Sequence, residues 1–105
     1  MIDEATITKA VELLQRAAPG ATIIVFGSCA RGEPSEDSDL DVLVVEPEVT
    51  SCHEEMVRLA RVLRPLEIPV DVLVISWKTF EEWSDTPGTV LFEAVQEGRI
   101  FHAQP

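Results

Sequence analysis

The chain reads as an α/β (α+β) fold, a small mixed sheet flanked by helices, in a single domain over residues 1–105. Three observations predict it. Apolar, β-branched runs of strand length stand at Ala21–Phe26, Leu40–Val45 and Val70–Ile75, with helical spacing before and between them. The second and third runs are joined by a segment that holds a helix of the length a parallel crossover needs. Aspartates stand at the heads of those two runs. If Gly27-Ser28, at the end of the first run, is to meet them, the first and second strands must be antiparallel. The unusual residues then gather on one rim.

Taken in order, Ile7, Val11, Leu14 and Ala18 recur at helical spacing over about Asp3–Ala18. Asp3 suits an N-cap and Pro19-Gly20 a stop. The first strand, Ala21–Phe26, is apolar throughout and is expected to be covered on both faces. Gly27–Ser38 is rich in turn formers, with room for a short helix after Ser28. Leu40–Val45 follows, and Glu46-Pro47-Glu48 breaks it. Ser51-Cys52-His53-Glu54 has the form of a capping box. The helix behind it carries Met56, Leu59, Ala60 and Leu63 on one stripe and must end before Pro65. After Val70–Ile75, Trp77–Trp83 reads as a short helix. Asp85-Thr86-Pro87 opens another that Gly98 closes, and Arg99–Ala103 reads as a short edge strand.

A length of 105 residues and a hydrophobic share of 46% suit one ordinary core and argue against disorder. The net charge is −11, from 8 basic and 19 acidic residues, with no basic tract. Such a chain is not expected to hold nucleic acid directly, because lysine and arginine supply most non-specific phosphate affinity. A basic protein partner or a cation-chelated ligand fits better. Cys29 and Cys52 form no CxxC, so neither zinc nor a disulfide scaffold is indicated. Asp3 and Glu4 stand where a cationic leader would be, and no apolar run approaches membrane-spanning length. The expectation is a cytoplasmic protein with no membrane contact.

The chemistry concentrates in Asp39-Leu40-Asp41. Residues two apart on a strand share a face, so both carboxylates point the same way. Asp71 is the ionisable residue of an otherwise apolar third strand. Three converging carboxylates repel unless a cation joins them, and hard divalent cations accept such ligands. Two Mg²⁺ ions held there would stabilise the attacking and leaving oxygens of a phosphoryl displacement. Asp37–Asp41 begins like a calcium loop, but Val42 stands where that loop needs glycine and the following residues are strand formers. Gly27-Ser28 allows close backbone approach to a phosphate, which hydroxyl and N–H groups can then hold. No GxxxxGK[ST] is present, so this is not a P-loop.

Gly27-Ser28, ten intervening residues, then Asp39-Leu40-Asp41, with Ala30-Arg31-Gly32 between, resembles the signature of the DNA polymerase β-like nucleotidyltransferases. It looks most like the minimal nucleotidyltransferases, the antitoxins of HEPN/MNT toxin–antitoxin pairs. The likeness covers nearly the whole chain, including Asp71 and the tail Glu97-Gly98-Arg99-Ile100-Phe101. It implies that Asp39, Asp41 and Asp71 are catalytic and bind two Mg²⁺ ions, with Asp71 helping to deprotonate the acceptor hydroxyl. It also implies that Gly27 and Ser28 hold the triphosphate of ATP; Arg31 could contact phosphate or the acidic loop. The reaction would be transfer of AMP with loss of pyrophosphate.

The resemblance further implies a helical HEPN-type toxin as partner, with AMP attached to one of its tyrosines. Larger relatives carry a further domain for base and acceptor that the sequence in hand lacks. The alternatives are an antitoxin that merely occludes its partner, and transfer to a small molecule or tRNA. His53 and His102 read as surface residues, and Arg58, Arg61 and Arg64 as a solvated helix face or a docking face. Trp77 and Trp83 suit a core or a binding hot spot equally.

Overall fold

The computed structural model describes residues 4–26, 40–83 and 98–101. The order is α1 (Glu4–Ala17), β1 (Thr22–Phe26), β2 (Leu40–Glu46), α2 (Cys52–Val62), a 3-10 turn at Arg64–Leu66, β3 (Val70–Ser76), α3 (Trp77–Trp83) and β4 (Arg99–Phe101). The expected short helix after Ser28 and the expected helix from Asp85 lie outside the described residues.

The four strands form one mixed sheet in the order β3-β2-β1-β4. β1 runs antiparallel to both β2 and β4, while β2 and β3 are parallel. This is the arrangement the carboxylates required. It follows from connection length: eleven helical residues in α2 return the chain to the same end of the sheet, which a tight turn cannot do.

Strand alternation sorts the core into two faces. Ile23 and Val25 of β1 and Leu40, Val42 and Val44 of β2 pack against Ile7, Ala10, Val11 and Leu14 of α1 and Leu59 of α2. Ile24, Leu43 and Val45 face the other way and meet Phe26, Ile75 and Phe80. β1 is therefore covered on both faces, as a continuous apolar run demands. The stripe on α1 is the expected one, with Ala10 added. On α2 the stripe differs by one residue: Leu59 and Leu63 are buried, but Ala60 is exposed.

The ends are held by local chemistry. Ser51 has extended backbone and its Oγ accepts the Glu54 N–H at 3.3 Å, satisfying one of the four free donors at the start of α2. α2 stops at Val62, before Pro65 as expected, and the chain turns once more through Arg64–Leu66. Glu67 closes that turn in the left-handed region at φ 54°. Arg99 Nη1 reaches both carboxylate oxygens of Glu4, at 2.7 and 2.9 Å, and its guanidinium stands over the Phe101 ring. The last described strand is thereby tied to the first helix.

β2 and β3 each run one residue beyond the expected end, to Glu46 and Ser76, which pair with each other. Glu46-Pro47 ends pairing after the glutamate rather than before it. Proline lacks a backbone donor, whereas the glutamate keeps both of its ladder groups.

Candidate functional site

Asp41 and Asp71 are brought together by the parallel ladder. They are register partners, Asp41 on β2 and Asp71 on β3, at the leading ends of both strands. Neighbouring strands lie about 4.8 Å apart, so the two backbones present their carboxylates side by side. On the other side of β2, Asp41 is the register partner of Phe26, the residue just before Gly27. The end of β1 and the starts of β2 and β3 therefore meet on one rim.

The face follows from alternation. Asp41 shares its side of β2 with Leu43 and Val45, and Asp71 shares its side of β3 with Leu73 and Ile75. That is the face of Ile24, Phe26 and Phe80, turned away from α1 and α2. Asp41 is half-buried and Asp71 exposed. One carboxylate thus stands on an apolar floor with its neighbour at the water's edge, which strengthens attraction for a cation while leaving a path for ligands.

Asp39, Gly27, Ser28 and Arg31 lie outside the described residues. Among the described residues no group of three or more His, Cys, Asp and Glu side chains is placed to hold a metal ion. The described part of the rim is a pair of carboxylates. As hard oxygen donors fixed at one level on adjacent strands, Asp41 and Asp71 fit Mg²⁺, which takes a few carboxylates and keeps its other positions for water and phosphate.

Phe26 belongs to this site as well, and the sequence singled it out only as the end of a strand. Its place beside Asp41 depends on the β1–β2 register, which no local pattern specifies until the two strands are paired. Arg58 lies on an exposed helix face, as expected, and from there also donates to the Glu55 carboxylate through two nitrogens and to the Ala17 carbonyl at 2.9 Å. Trp77 stacks on Phe80, with ring centroids 5.3 Å apart, yet remains exposed, as does Trp83. Among the described residues no helix is long and apolar enough to cross a membrane.

Comparison with known proteins adds to this geometry. A family model of a nucleotidyltransferase domain matches residues 7–101. No curated protein matches the chain. Among solved structures, a toxin–antitoxin crystallised with AMP-PNP is 25% identical, with a TM-score of 0.68 over 92% of this chain and 73% of that one. A mutant MntA–HpeT toxin–antitoxin is 24% identical, with a TM-score of 0.65 over 93% and 72%. A Sulfolobus solfataricus protein described as a nucleotidyltransferase is 20% identical, with a TM-score of 0.63 over 95% and 79%. The last two likenesses are of fold.

Proposed function

Because the chain belongs to the nucleotidyltransferase domain family and is a nucleotidyltransferase, we propose that it transfers AMP from ATP to a hydroxyl of a partner toxin and acts as that toxin's antitoxin. The acceptor on this reading is a tyrosine of a HEPN-type toxin. The observation that carries the chemistry is the Asp41–Asp71 register pair on the rim where β1 ends. The partner reading is supported by the toxin–antitoxin that this chain resembles, and the nucleotide by the AMP-PNP bound in that relative. The net charge of −11 agrees with a basic protein partner better than with nucleic acid.

Each residue has a task in this scheme. Asp39 and Asp41 bind Mg²⁺, and bound Mg²⁺ supplies charge neutralisation at the triphosphate. Asp71, the more exposed carboxylate, faces the side from which an acceptor arrives and takes up the proton of its hydroxyl. The backbone N–H groups of Gly27 and Ser28, which follow Phe26 in sequence, and the Ser28 hydroxyl have the task of holding phosphate oxygens. Arg31 adds a cation for the same phosphates. The acceptor oxygen then attacks the α-phosphorus, the bond from that phosphorus to the bridging oxygen breaks, and pyrophosphate leaves.

The test is transfer of label from α-labelled ATP, with the chain and its co-expressed toxin, for wild type and for Asp39→Asn/Asp41→Asn. Label on the toxin, reduced at least 100-fold in the variant, is the expected result. Neutralisation of the toxin that survives the double substitution would replace catalysis by occlusion. Label on tRNA or on an aminoglycoside instead would keep the enzyme and change its acceptor.

A further inference from the structure

At the end of β2 remote from Asp41, the inward face of the strand carries a carboxylate where apolar residues precede it. Leu40, Val42 and Val44 point toward α1 and α2, and alternation puts Glu46 on that same side. Its Oε2 is buried, and among the described residues no N–H or O–H group donates to it. Its carboxyl faces that of Glu55, in the first turn of α2. Two carboxyls held at close quarters repel unless one proton lies between them.

Glu55 is the member that stays ionised. Arg58 grips it with Nε to Oε1 and with Nη2 to Oε2 at 2.8 Å, a bidentate fork, and this holds the Glu55 carboxyl down at about 2. Burial, and then Glu55 itself, push Glu46 up to about 7, against the smaller pull of Arg58. The same guanidinium uses Nη1 to bind the Ala17 carbonyl at 2.9 Å, at the last residue of α1. Two carboxyls facing one cation are electrically balanced when they hold one proton between them.

We propose that Glu46, Glu55 and Arg58 form a proton-dependent clasp that joins the end of β2 to α2 and α1, and that releases the Glu46 end when the shared proton is lost. It goes beyond the transferase reading and does not rest on it. The released segment would be residues 48–51, which with Glu54, Glu55 and Arg58 line an open cavity of about 330 Å³. The charges acting on Glu46 come from Glu55 and Arg58. At its level β3 contributes Ser76, and α1 contributes the Ala17 carbonyl through Arg58. Glu48 and Glu54 also line the cavity, and exposed His53 stands in the first turn of α2.

The sign is fixed by linkage. The folded chain holds the Glu46 proton more tightly than the unfolded chain does. The stability this adds is therefore full below the ordinary glutamate value of 4.5 and is lost as pH rises toward about 7. Glu55 acts in the opposite sense and lower down, losing its contribution as pH falls from 4.5 toward about 2.

The experiment compares wild type, Glu46→Gln and His53→Gln from pH 5 to pH 8, reading the melting temperature and the ¹³C shift of the Glu46 carboxyl. Glutamine keeps the hydrogen bond without a titrating proton. The expected results are a Glu46 midpoint near neutrality and a melting temperature that falls by several degrees relative to Glu46→Gln, with the slope kept in His53→Gln. Hydrogen-exchange protection of the Glu54 and Glu55 amides should fall over the same range in wild type and stay level in Glu46→Gln. A Glu46 midpoint in the ordinary carboxylate range would overturn the proposal, as would identical pH slopes in wild type and Glu46→Gln.

Discussion

Single residues in this chain act through what their neighbours leave unsatisfied. Ser51 matters because the first N–H groups of α2 have no partner within the helix, and its Oγ takes the donor of Glu54. Ser51→Ala is expected to lower stability by about 0.5–2 kcal/mol, and a urea unfolding curve with an unchanged slope would measure it. Asp41 is the opposite case. Two neighbouring carboxylates repel, so Asp41→Asn removes repulsion while removing a ligand. Its expected signature is loss of AMP transfer by a chain that still unfolds in one cooperative transition, read by activity and by a melting curve side by side. Transfer that survives the substitution would mean that Asp41 is not part of the site.

At the scale of elements, α1 and the sheet stabilise each other through one stripe. Leu14 is wholly buried between them, and Leu14→Ala is expected to cost about 2–5 kcal/mol by chemical denaturation. Such elements were legible in the sequence because their signals are local. The α1 spacing, the hydroxyl before α2 and the stop before Pro65 each depend on a handful of adjacent residues. The strand directions, though not the sheet order, were legible for another reason: Gly27-Ser28 and the aspartates made chemical sense only if β1 reversed into β2. What local signals left out was decided by tertiary pairing. Glu46 reads as a strand breaker beside Pro47, yet β3 extends the ladder to it, and its inward orientation depends on α2 arriving above it. Ala60 lies on the apolar stripe by spacing but is exposed, because the helix turns Leu59 and Leu63 to the sheet instead. Arg58 is solvated as its spacing implied, but its bond to the Ala17 carbonyl was not legible, because that partner lies 41 positions away.

For the molecule as a whole, the site is a product of complete folding. Asp41 and Asp71 lie 30 positions apart, on strands joined by α2, and an unfolded chain has no such pair. A ligand that needs both therefore binds the native state and stabilises it by mass action. Mg·ATP at about 100 times its dissociation constant is expected to add about 2.7 kcal/mol. A thermal shift assay would register a rise of several degrees in wild type and none in Asp39→Asn/Asp41→Asn. A rise unchanged by that double substitution would place nucleotide binding elsewhere on the molecule.

The β2–β3 ladder also limits how this chain can vary in length. Asp71 faces the same side as Asp41 because the two strands are in register, and a slip of one residue would turn Asp71 to the α1/α2 side of the sheet. Insertions in the bends on either side of α2 leave that register alone, since loop length costs little. One inserted residue between Asp71 and Val74 cannot be absorbed this way: keeping Val74 in the core reverses the face of the aspartate, and keeping the aspartate in place empties the core. Lineages descending from this chain should therefore gain and lose residues around the crossover helix while the strand beside it keeps its length.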